Sequence, residues 1–199
     1  PMNSRTSIGA LIFVGMVTVA STAAEPKPEE PIRGSLVICG GGRLPERVLE
    51  RFVQLAGGPE AHIVVIPTAS ERADTANQDK TLAPLRKFNP RSLTVLHTRD
   101  RAKANDADFI DPLRKATGVW IGGGQQSRLA DAYDGTEYLT QIHGVLNRGG
   151  VVGGTSAGAA IMSDVMIASG NPEPTIMQGF GLLKRVIIDQ HFFRRSRAN

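Results

Sequence analysis

Three features of this 199-residue sequence predict an α/β domain on a mostly parallel sheet. From Ser35 onward, short apolar runs alternate with amphipathic stretches. The runs are continuously apolar and rich in β-branched residues, as strands buried on both faces require. Glycine clusters follow several of them, where a strand must turn sharply into a helix. At roughly 100 to 200 residues per domain, the length suits one domain.

The elements follow in order. Ser35–Cys39 reads as a strand, Pro45–Leu55 as a helix, Ile63–Ile66 as a strand, Thr81–Lys87 as a helix and Leu93–Leu96 as a strand. Asp106–Lys115 is helical and Val119–Ile121 a strand, while Gln126–Tyr133 and Glu137–Asn147 are helical. Val151–Val152 and Val186–Ile188 close the list as strands. The expectation is a three-layer sandwich over residues 34–199, with helices on both faces of the sheet.

Composition narrows the function. With 41% hydrophobic and 21% charged residues, the chain has the average globular mix, which excludes global disorder. A net charge of only +4, scattered among acids, with 5% aromatics, gives neither the basic patch nor the stacking surface that nucleic acid requires. The single cysteine, Cys39, rules out an internal disulfide and metal sites built on Cys pairs.

The N-terminal region reads as an export signal. Arg5 precedes an uncharged apolar run from Ile8 to Ala20, and the small residues Ala20 to Ala24 suit a signal peptidase. The run is shorter than the roughly 20 residues that cross a bilayer as a helix. Residues 1–24 are therefore expected to be a signal peptide, residues 25–33 a Pro- and Glu-rich linker, and the protein periplasmic or extracellular.

In open α/β sheets chemistry gathers at the carboxyl ends of strands, and four such places stand out. Gly40-Gly41-Gly42 lacks dinucleotide or P-loop spacing and reads as a tight turn lining a cleft. Gly154-Thr155-Ser156-Ala157-Gly158 matches the Gly-x-Ser-x-Gly elbow, in which a strained turn lifts a serine hydroxyl out of the sheet. The glycines are needed because a side chain at either would strike the neighbouring strand or helix. Ser156 also opens a helix, whose amides favour developing negative charge.

Gly122-Gly123-Gly124-Gln125-Gln126 is the third. An acyl-transfer site needs a second backbone N–H besides that of Ala157, and Gly123 is the candidate donor. Gln125 and Gln126 either hold substrate or begin the next helix. The fourth is Asp189-Gln190-His191, followed by Arg194, Arg195 and Arg197. A serine hydroxyl needs an imidazole to take its proton, and His191 follows Ser156 in the order used by α/β hydrolases. The arginines suit carboxylate recognition.

Together GGG at 40–42, GGGQQSRL at 122–129, GGTSAGA at 153–159 and DQHFFRRSR at 189–197 resemble the cyanophycinases of peptidase family S51, the serine peptidases that include aspartyl dipeptidase. The resemblance spans about residues 33–199 and implies a class I glutamine amidotransferase-like α/β fold. It implies Ser156 as nucleophile, His191 as base, and Gln125, Asp189, Gln190, Arg195 and Arg197 in the substrate pocket. It further implies a homodimer without cofactor that releases β-Asp-Arg dipeptides from cyanophycin, a polyaspartate bearing arginine on each β-carboxyl. The alternatives are an aspartyl dipeptidase acting on short Asp-containing peptides and a non-catalytic member of the fold. A glutamine amidotransferase would need a cysteine in place of Ser156. In the family the triad acid lies downstream of the histidine, and the sequence ends at Asn199 without it. The expectation is thus a C-terminally truncated chain with an open sheet edge, itself inactive.

Overall fold

The structure, a computed structural model, describes residues 32–170 and 173–191. The export segment, most of the linker, Arg195 and Arg197 lie outside the described residues.

Five strands form one parallel sheet: β1 (Ser35–Cys39), β2 (His62–Ile66), β3 (Ser92–Val95), β4 (Gly118–Ile121) and β5 (Val151–Thr155), in the order β1-β5-β4-β2-β3. Successive side chains of a strand point to opposite faces, and β2 uses both. Ile63 and Val65 pack under helices α1 (Glu46–Leu55) and α2 (Gln78–Arg86), together with Phe52, Leu82, Leu85 and Trp120. Val64 and Ile66 pack under α3 (Ala107–Lys115), α4 (Ser127–Tyr133) and α5 (Glu137–Asn147), against Ile110, Leu129, Tyr133 and Ile142. The expected three layers are present, and right-handed crossovers explain them. The chain steps one way across the sheet through β1, β2 and β3 with helices on one face, then returns through β4 and β5 with helices on the other.

Local chemistry sets the boundaries. Helix α2 begins three residues earlier than predicted because the Asn77 side chain accepts a hydrogen bond from the Lys80 amide at 3.0 Å. Asp106 caps α3 by accepting from the amides of Asp108 and Phe109. β5 runs past the predicted Val151–Val152 as far as Thr155, since Gly153 and Gly154 pair with Val37 and Ile38 of β1 and with Trp120 and Ile121 of β4. These glycines belong to the strand and not only to the turn. A Cβ on Gly153 would strike the Trp120 ring, which is why a glycine fits beside it.

The structure departs from the expectation in two places. Val186–Ile188 is not a strand: Val186 and Ile187 are 44% and 50% exposed, and the segment is tied down by the Ile188 amide donating to Ser163 Oγ at 3.1 Å. Its β-branched residues mimic a core strand without a neighbour to pair with. A separate antiparallel hairpin, β6 (Val165–Ser169) with β7 (Thr175–Gln178), was not foreseen.

Phe52 is fully buried and meets Trp120 edge to face, with centroids 5.0 Å apart. Phe52→Ala should therefore cost about 3–5 kcal/mol through lost burial and the cavity left behind. Denaturant unfolding measures this, and a loss under ~1 kcal/mol would show that the layer between α1 and the sheet collapses around the gap.

Candidate active site

The carboxyl ends of β1, β5 and β4 bring together residues far apart in sequence. β5 runs into the short helix α6 (Ala157–Ala160) through Ser156, whose φ of 54° and ψ of −112° lie where non-glycine residues seldom go. Such a turn survives only when its surroundings hold it. The Ser156 amide donates to the Cys39 carbonyl of β1 at 2.9 Å, and the Ser156 carbonyl accepts from the amides of Ala159 and Ala160, each at 2.9 Å. A Cβ at residue 154 would collide with the carbonyl of residue 158, and one at residue 158 with the Ile121 carbonyl of β4. The steric reason for Gly154 and Gly158 is thus met by backbone on both sides.

His191 arrives from the segment after the hairpin. Its Nε2 lies 2.8 Å from Ser156 Oγ, and its amide donates to the Gly40 carbonyl at 2.9 Å. The ring rests on Gly41, where any Cβ would run into Cε1. Gly41 itself has a φ of 115°, open to glycine and strained for other residues. The Gly40–Gly42 turn is tight, as expected, and lies against the imidazole. Its specific task, seating the imidazole, was not legible: one glycine cluster does not name the ring that covers it.

Of the remaining predicted residues, Gly123 and Ala157 adjoin Ser156. Gly123 follows β4, and a Cβ there would sit 3.5 Å from Ser156 Cβ, so the turn after β4 passes directly beside the serine. The amides of Gly123 and Ala157 donate no hydrogen bond among the described residues. Gln125 is exposed, with Nε2 donating to Ser127 Oγ at 2.9 Å and its amide to the Ala69 carbonyl at 2.9 Å. Gln126 turns the other way: it is 5% exposed and donates to the Ile167 and Ala168 carbonyls of β6 at 2.6 and 3.1 Å. It anchors the hairpin and is not available to substrate.

Asp189 is half-buried beside Gln190, and Gln190 is 2% exposed with an Oε1 that has no hydrogen-bond partner among the described residues. A buried amide oxygen left unpaired is costly unless something else meets it. Burial pushes the Cys39 thiol up, so this thiol stays protonated and weakly nucleophilic. Among the described residues no cluster of His, Cys, Asp or Glu could hold a metal ion.

The sequence profile of peptidase family S51 matches residues 36–199. The chain belongs to that family. It is 35% identical over 177 residues to a cyanophycinase from Geminocystis herdmanii, covering 83% of this chain and 65% of that protein. It is 36% identical over 176 residues to a cyanophycinase from Synechococcus elongatus, covering 83% of this chain and 54% of that one. The chain therefore spans between about half and two thirds of the length of these relatives. A solved peptidase from an acI-B1 Actinobacterium shares the fold, with a TM-score of 0.65 at 23% identity over 82% of this chain and 70% of that one.

Gly41→Ala tests the seat of the imidazole. The added methyl should push the ring off Ser156, and misplacement by about 1 Å lowers turnover roughly 100-fold. Steady-state hydrolysis by the variant and the parent measures this, with near-parent turnover showing that the ring does not need that seat.

Proposed function

We propose that the protein is a serine peptidase that hydrolyses cyanophycin to β-Asp-Arg dipeptides through an acyl-enzyme on Ser156. One observation carries the reading: an elbow serine whose Oγ is 2.8 Å from an imidazole nitrogen. The polymer is suggested by the cyanophycinases among the S51 relatives.

His191 Nε2 takes the Ser156 proton as Oγ adds to the scissile carbonyl carbon. The carbonyl oxygen becomes an oxyanion beside the amides of Gly123 and Ala157, which carry no competing partner among the described residues. The tetrahedral intermediate then collapses. The imidazolium gives its proton to the leaving amine, and the C–N bond breaks. Water, deprotonated by the same imidazole, attacks the acyl carbon and releases Ser156 as a hydroxyl.

Gln125, Asp189 and Gln190 are assigned to the substrate pocket. Arg195 and Arg197 are assigned to the free carboxylates of the substrate, which in cyanophycin are carried by its arginine branches and which planar guanidinium forks bind in bidentate fashion. The peptidase is further proposed to be exported through residues 1–24 and to act as a homodimer.

Ser156→Ala should lower cyanophycin turnover on the order of 10⁴-fold or more while leaving polymer binding nearly intact. Turnover near the parent rate would remove Ser156 as nucleophile. Product analysis on cyanophycin against Asp-X dipeptides separates this reading from an aspartyl dipeptidase. Arg197→Glu should raise KM with kcat little changed, and an unaltered KM would take Arg197 out of the pocket.

A further inference from the structure

A second crevice opens on the far side of the Gly123–Gln125 turn. The chain leaving β2 goes to α2 on one face of the sheet, and the chain leaving β4 goes to α4 on the other. Ligands of open α/β sheets settle where neighbouring strands diverge in this way. Here Glu71 after β2, Arg99 after β3, and Arg128, Asp131 and Ala132 of α4 line a cleft of about 410 Å³. That volume falls within the roughly 300–1,000 Å³ of small-ligand sites. The cleft adjoins the serine site, because the Ala69 carbonyl accepts from both the Gln125 amide at 2.9 Å and Arg128 Nη1 at 3.2 Å.

Its floor is rigid. Buried Thr68 Oγ1 lies 2.8 Å from His97 Nδ1 and 2.7 Å from the Tyr133 hydroxyl, and His97 Nε2 lies 3.1 Å from Asp74 Oδ1. Arg99 is locked onto that floor: Nε donates to Asp74 Oδ2 at 2.8 Å, Nη1 to the Thr68 carbonyl at 3.2 Å and Nη2 to the Ser70 carbonyl at 2.9 Å. Hydrogen bonds from Arg99 and then His97 hold the Asp74 carboxyl below its usual range, so this clamp persists in mild acid.

The other charges are uncommitted. Arg128 makes a single hydrogen bond, which places its guanidinium while leaving most of its N–H groups unused. Glu71 and Asp131 form no ion pair among the described residues. A fixed cleft thus presents one available guanidinium and two available carboxylates.

We propose that this cleft is a second substrate subsite, taking a peptide unit that carries both a carboxylate and a guanidinium. Arg128 receives the carboxylate, and Glu71 with Asp131 receives the guanidinium. The inference rests on the cyanophycin reading and deepens it, since the arginine branch of every repeat of that polymer carries a free carboxylate and a guanidinium. A unit held here raises the effective concentration of the scissile bond at Ser156 without altering the chemistry there.

The test is steady-state kinetics of the full-length enzyme and its Glu71→Gln/Asp131→Asn double variant, on cyanophycin and on a substrate of two β-Asp-Arg units. The short substrate has no unit left over beyond those flanking the scissile bond. The variant should show KM for the polymer raised about five- to tenfold, the scale of two exposed ion pairs, with kcat unchanged. Its KM for the short substrate should be unaltered. Arg128→Gln should behave alike, while the acidic pair guards against misfolding because neither side chain holds the fold together. An unchanged polymer KM in an active enzyme overturns the subsite alone. An equal rise on both substrates also overturns it, by placing these residues in the primary site. Absence of turnover by the parent on either substrate overturns the cyanophycin reading and this inference with it.

Discussion

Backbone crowding around Ser156 is the constraint from which the rest of the site follows. With the Ile121 and Gly158 carbonyls pressed against the elbow, no Cβ fits at residues 154 or 158. The chain turns from β5 into α6 with Ser156 at a φ of 54°. Such a conformation costs on the order of 1–3 kcal/mol, and the surroundings must over-determine it. They do so through the bond from the Ser156 amide to β1 and the two bonds from α6 to its carbonyl. The hydroxyl is consequently held above the sheet by groups that cannot relax independently.

The sheet order gives that strained turn its neighbours. β5 lies between β1 and β4, so the turns leaving all three strands converge on one edge. β1 contributes the Gly41 seat for the imidazole and the Gly40 carbonyl that anchors its backbone, and β4 contributes Gly123 beside the serine. His191, also at positive φ, is supplied from outside the sheet. Its register depends on main-chain contact with β1 and on Ser163 gripping Ile188 three residues earlier. The short helix α6, buried throughout, ties the elbow to the hydrophobic layer beneath α3 to α5. The same divergence of strands that opens the serine site recurs between β2 and β4, which is why a second polar cleft lies next door.

Much of this was legible because the physical signals are local. Buried parallel strands have to be apolar on both faces, so β1 to β4 stand out as runs. The elbow glycines are dictated by contacts within a few residues of Ser156 and across one strand. The errors have the opposite character. Val186–Ile188 has the β-branched composition of a strand, but no sheet neighbour among the described residues accepts it, and composition carries no information about pairing. Gln125 and Gln126 are chemically identical and adjacent, yet one faces solvent and the other is buried beneath β6; only the hairpin, unforeseen in the sequence, separates them.

By itself, then, the sequence determined the element pattern, the elbow and the residue types gathered at strand ends, because each is encoded in spacing over ten residues or fewer. Tertiary structure alone decided that a ring from residue 191 lies on a glycine from residue 41, that Gln126 is sealed from substrate, and that Glu71, Arg99 and Arg128 share one cleft. Those relations join segments that meet only when the crossovers order the strands as β1-β5-β4-β2-β3. No local propensity specifies that order; it comes from burying both faces of one twisted sheet with connections of a single hand.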